Sequence, residues 1–255
     1  MPTTVEWIYV ALFAAAWPLY EHAIEWPRFL RRLRVTPEPA RLGQYRSIIV
    51  FQWVLTAAGL TLWARSGRAW SGVGLAAPEG WRLWLSVALV LVMSTINASN
   101  IAAVVRSAKA RARLRPRLAS VDAIVPHTPR ELAGFWPVSL TAGFCEEFLF
   151  RGFLVWALTP LLTWWGAVAA SAVVFGLGHS YQGVPGAIRA GAVGLAMALI
   201  YGLTHSLMAA VVLHALIDMG SGLVAWIALR PEESADAATS GSAPAPETSG
   251  AVATA

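Results

Sequence analysis

Seven apolar runs, each close to the length that crosses a bilayer, constrain this chain more than any other feature. They cover about residues 5–26, 47–64, 83–105, 133–157, 161–179, 186–203 and 206–229. A helix needs ~20 apolar residues to span the hydrocarbon core. Of the 255 residues, 57% are hydrophobic and 13% charged, against about 25% charged in a soluble domain. One soluble core of this size could not bury that much apolar surface. Lipid offers no partner to backbone N–H and C=O groups, so each run must satisfy its own. The expectation is an all-α, polytopic membrane protein with about seven transmembrane helices. Trp26, Trp63, Trp81, Trp136, Trp156, Trp164 and Trp226 lie at or near the ends of the runs, as an interfacial aromatic belt would place them. Met1 to Glu6 carries no basic residue, so the first run reads as a retained helix and not as a cleaved signal.

The formal charge of +5 comes from arginines concentrated in loops. Arg28, Arg31, Arg32, Arg34, Arg41 and Arg46 occupy one loop. Arg106, Lys109, Arg111, Arg113, Arg115, Arg117 and Arg130 occupy another, and only Arg65 and Arg68 lie between. That distribution fits membrane topology and argues against a nucleic-acid partner. By the positive-inside rule both rich loops are cytoplasmic, which puts the N-terminus outside and the C-terminus in the cytoplasm. The expected location is the plasma (inner) membrane. Cys145 is the single cysteine, so there is no internal disulfide framework and no thiolate zinc cluster.

Three regions are expected: membrane helices with basic loops over 1–124, a polar-site core over 125–229, and a tail over 230–255. The tail is Ala, Ser, Thr, Gly and Pro with a few acids and reads as disordered. Thr128-Pro129-Arg130-Glu131 resembles a capping box with proline at the first helical position, so a helix should start there. Pro137 should kink it. Gly186, Ala190, Gly194, Ala198 and Gly202 recur every fourth residue along one face of the sixth run, which predicts close helix packing.

From 133 to 229 the only formal charges are Glu146, Glu147, Arg151, Arg189 and Asp218, joined by His179, His205 and His214. An ionisable group at membrane depth costs at least ~2.5–3.5 kcal/mol, so each needs a partner or a function. Glu147 and Arg151 stand at i and i+4 and can pair. Glu146 points about 100° away, unneutralised. His214 and Asp218 also stand at i and i+4, where a carboxylate can fix an imidazole tautomer. His179 follows Phe175-Gly176-Leu177-Gly178, whose glycines admit a neighbouring backbone. His205 reads as a turn residue. Glu21, His22 and Glu25 read as a wet cluster at a membrane end.

Glu146-Glu147 with Arg151, Phe175 with His179, and His214 with Asp218, on three separate helices, together resemble the CPBP family of intramembrane proteases. That family includes the CAAX prenyl endopeptidases and bacteriocin-processing or immunity relatives (Abi-like proteins). The likeness covers about residues 125–225. It implies an endopeptidase acting on a peptide or protein substrate, membrane-anchored in the CAAX case, with the lipid bilayer as its surroundings. Glu146 is then the general base, with His179 beside it. Glu147 and Arg151 are its supporting pair. His214 and Asp218 hold the substrate carbonyl or a metal. Some relatives carry asparagine where this chain has Asp218. The family has been described both as glutamate proteases and as metalloproteases, so Glu146, His179, His214 and Asp218 are also a possible ligand set for a divalent ion such as Zn²⁺. The helical H-E-x-x-H signature is absent.

Besides hydrolysis, a non-catalytic immunity or scaffold role on the same fold accounts for the family likeness, although every expected polar position is filled. A proton-coupled transporter would also bury such groups, but it usually shows two related halves, and none is visible here.

Overall fold

The computed structural model describes residues 1–230, and every described element is helical. The tail beyond Arg230, expected to be disordered, lies outside the described residues. Ten α-helices follow in chain order: α1 Thr4–Ala11, α2 Trp17–Tyr20, α3 Trp26–Val35, α4 Pro37–Arg65, α5 Trp81–Arg106, α6 Ala108–Leu118, α7 Pro129–Glu146, α8 Val155–Gly178, α9 Gly183–Thr204 and α10 Met208–Leu229.

Among the described residues, five helices are long and apolar enough to cross a membrane. Two of the seven expected runs do not stand as separate candidates, for local reasons. The runs at 133–157 and 161–179 belong to one helical stretch, Pro129–Gly178, of 50 residues. At 1.5 Å per residue it would extend about 75 Å if straight, over twice the ~30 Å core. It turns instead at Thr163, whose φ of 62° is outside the helical range. The first run is divided by π-helical turns at Leu12–Ala16 and Glu21–Glu25. Each precedes a proline, Pro18 or Pro27, that cannot donate to the preceding turn, and the wider turns absorb the lost bonds.

α7 begins where the capping box predicts. Thr128 Oγ1 accepts from Glu131 N at 3.1 Å, and Glu131 Oε2 accepts from Thr128 N at 3.1 Å. α7 runs unbroken through Pro137 to Glu146. Pro137 and Ala133, the residue four positions earlier, both lie on the exposed face, where the freed carbonyl is not sealed in the core.

The two arginine-rich loops meet on one face. Arg41, buried in α4, donates to Ala123 O at 3.0 Å and pairs with Glu131 at 3.3 Å, while Tyr45 Oη donates to Ile124 O at 2.7 Å. α6 joins them to the end of α10, through Arg115 Nε donating to Ala228 O at 2.8 Å. On the other face, Arg68 pairs with Glu6 and stacks over Trp156. There Leu207 N donates to Gly74 O at 2.9 Å, tying the α9–α10 turn to the 66–80 loop. Gly74 has a φ of 74°, and a Cβ on it would meet Tyr201 at 2.5 Å, so glycine is required. His205 occupies that turn at a φ of 54° and stacks on Trp164 at 4.6 Å. Glu25 lies among Arg28 and Arg32 at the membrane end of the first run.

The core between these faces is aromatic. Tyr9, Phe13, Trp63, Phe148 and Phe153 are buried together, and Tyr9 Oη donates to Leu55 O at 2.8 Å. The small-residue face of α9 packs closely: a Cβ on Gly202 would lie 2.8 Å from Trp165, and one on Gly194 would lie 2.7 Å from Phe175.

Candidate active site

Glu146 is the last residue of α7, and Glu147 opens a π-helical segment, Glu147–Leu154, that leads into α8. π-helical turns recur at functional sites because they spend helix stability to re-aim side chains. Opposite them runs α10. Gly143 allows the approach: a Cβ there would lie 2.9 Å from Ala215 Cβ and 3.0 Å from Val211 O. That contact brings His214 level with both acids.

Glu147 and Arg151 are fully buried, and Arg151 Nη1 lies 3.1 Å from Glu147 Oε1. The i, i+4 pairing expected on an α-helix therefore persists through the wider turn. The same oxygen has a second partner that sequence spacing did not indicate, His214 Nδ1 at 2.7 Å. An ionised carboxylate only accepts, so Nδ1 carries the hydrogen and Nε2 faces the other way. Nε2 stands 3.8 Å from Glu146 Oε2 and 3.7 Å from Asp218 Oδ2. The closest carboxylate to His214 is thus Glu147, and Asp218 is near the opposite nitrogen. Three carboxylates surround one imidazole.

Phe175 links the remaining parts. Its ring lies 4.2 Å from the Arg151 guanidinium, 4.6 Å from the His179 ring and 6.1 Å from the His214 ring. His179 caps the end of α8, with Nδ1 held at 2.9 Å from Phe175 O, which leaves Nε2 for another partner. Arg151 Nη2 donates to Gly194 O at 2.9 Å and so ties α9 to the cluster. The six polar residues selected from the sequence therefore adjoin one another through direct contacts or through Phe175.

One contributor escaped the sequence reading. Gln52 of α4 donates from Nε2 to Glu146 Oε1 at 2.7 Å. It is the one amide in the run 47–64, and a polar side chain at that depth was the signal available. Trp53 beside it donates to Thr141 Oγ1 at 3.2 Å and stacks on Phe144.

Residues 128–220 match a family model described as Type II CAAX prenyl endopeptidase Rce1-like. That segment is similar to the CAAX protease family. It carries all six polar residues, and the five long apolar helices make the chain an integral membrane protein. No curated protein and no solved structure matches the chain.

The donor set gives no support to a metal centre. Among the described residues, no three His, Cys, Asp or Glu side chains are arranged to hold an ion. Each histidine has Nδ1 committed, one to a carboxylate and one to a carbonyl, and the free Nε2 atoms complete no three-ligand group with the carboxylates.

Proposed function

We propose that this protein is an intramembrane endopeptidase in which Glu146 activates water against a peptide carbonyl. The observation that carries the reading is the approach of Glu146 Oε2 to His214 Nε2 at 3.8 Å, with the opposite end of each group already fixed by Gln52 and Glu147. One carboxylate and one nitrogen thus face the same space, and a base within reach of water is the first requirement of hydrolysis.

Glu146 takes a proton from the water as its oxygen bonds to the carbonyl carbon. Charge develops on the carbonyl oxygen, and donors placed there lower the barrier. His214, protonated on both nitrogens, donates from Nε2, and a neutral Asp218 donates beside it. His179 lines the same space through Phe175. The tetrahedral species collapses with cleavage of the C–N bond, and the proton held by Glu146 goes to the leaving amine. Glu147 and Arg151 do not touch substrate; they set the direction of His214.

The substrate we infer is a peptide segment held at the membrane. An apolar cavity of about 420 Å³, lined by Leu75, Phe144, Leu207, Val211 and Val212 among others, lies beside α7 and α10. Val211 is one turn before His214 on the same face of α10, so an apolar or lipidated neighbour of the scissile bond has a place near the polar groups. In this reading the arginine-rich face is cytoplasmic.

The test is digestion of a peptide library by the full chain in detergent, beside Glu146→Gln, with the metal content of both measured. Cleavage by the wild type, lost in a folded Glu146→Gln and independent of bound metal, is the expected result. Cleavage that tracks a stoichiometric metal would replace the mechanism. Absence of cleavage under all conditions would favour the immunity or scaffold role.

A further inference from the structure

We infer that Gln52, which lies outside the segment matched to the protease family, is a positioning residue that holds the attacking water together with Glu146; the inference rests on the hydrolytic reading above. Glu146 Oε1 accepts from Gln52 Nε2 at 2.7 Å. The orientation of the amide follows from chemistry, because a carboxylate offers no hydrogen and the nitrogen must face it. The other end of the amide, Gln52 Oε1, is buried and has no donor among the described residues. Buried acceptors are nearly always paired, with protein or with ordered water, and an exception calls for a functional account.

The free acceptor belongs to an amide already bonded to the proposed base. A water that donates one hydrogen to Gln52 Oε1 and the other to Glu146 is fixed in two directions, with its lone pair turned outward to the carbonyl. Glu146 then removes the hydrogen it accepts, and Gln52 keeps the other. The proton balance of the hydrolytic step is unchanged, and Gln52 supplies orientation alone.

A purely structural role for Gln52 would be to fasten α4 to α7. That fastening exists independently one residue later, in the Trp53 indole donating to Thr141 and stacking on Phe144. Loss of the Gln52 amide should therefore leave the helices in place.

The experiment compares wild type, Gln52→Leu and Gln52→Asn as full chains in detergent. It reads kcat, KM and the thermal midpoint, together with the Glu146 carboxylate stretch isolated by infrared difference against Glu146→Gln. For Gln52→Leu we expect kcat to fall ten- to a hundredfold, KM to stay within twofold, the midpoint to hold and the carboxylate band to move. Gln52→Asn keeps both polar groups on a shorter arm and should recover part of kcat. Full kcat in Gln52→Leu, or a joint loss of kcat, KM and thermal midpoint with the band unmoved, overturns the assignment. If the wild type cleaves nothing, the hydrolytic reading fails and takes the water-holding role with it, while the infrared band still reports the bond between the two side chains.

Discussion

His214 Nδ1 and Glu147 Oε1 lie 2.7 Å apart although 67 positions separate them in the chain, and this contact decides which imidazole nitrogen faces Glu146. Glu147→Gln keeps an acceptor but removes the charge that balances both His214 and Arg151. A misplacement of a reacting group by ~1 Å can cost ~100-fold in rate. We expect kcat to fall by about that factor with KM little changed, read from initial rates on a peptide substrate.

Arg151 has no water to fall back on. It is fully buried, with Glu147, Gly194 O and the Phe175 ring as its surroundings. Arg151→Ala leaves the buried Glu147 carboxylate with His214 alone to balance it, and breaking a buried pair from one side costs up to about 3–5 kcal/mol. The thermal midpoint in detergent should drop along with activity. A stable and fully active Arg151→Ala protein would disprove the supporting role.

Gly143 tests whether helix spacing sets the site. Even the first carbon of a side chain would meet Ala215 and the Val211 carbonyl at 2.9–3.0 Å. Gly143→Val should push α10 from α7 at a cost of about 1–3 kcal/mol, the usual range for overpacking. Activity should fall further than stability, because His214 moves with α10. Comparing residual kcat with the unfolding midpoint separates the two effects.

Asp218 offers a test of protonation. Its Oδ2 lies 3.7 Å from His214 Nε2. If the group donates to the oxyanion, it acts as a neutral acid, and Asp218→Asn retains a donor and most of the rate. If it acts as an ionised partner of His214, the rate falls by an order of magnitude or more. We expect the first outcome. Initial rates across about pH 6 to 9, variant beside wild type, distinguish the two.

What could be read from the chain follows the range of the interactions. The start of α7 was legible because a capping box is written in four consecutive residues. Glu147 and Arg151 were legible because four residues is one helical turn. The bond from Glu147 to His214 was not, since spacing within a helix says nothing of what a second helix presents to it. Nor was Gln52, a single amide with no motif around it. The backbone departures at Thr163 and before Pro18 and Pro27 were not legible, because apolar composition stays uniform there.

The π-helical segment Glu147–Leu154 works as a phase setting between the two arms that carry Glu146 and Phe175. Each α-helical residue advances the helix by about 100°. Deleting one residue there would close the wide turn into an ordinary one and change the directions in which Glu147 and Arg151 leave it, taking them off His214 and Gly194. The composition would hardly change, yet the constellation would be lost. This short stretch should therefore be far less tolerant of a one-residue length change than of a like-for-like apolar replacement.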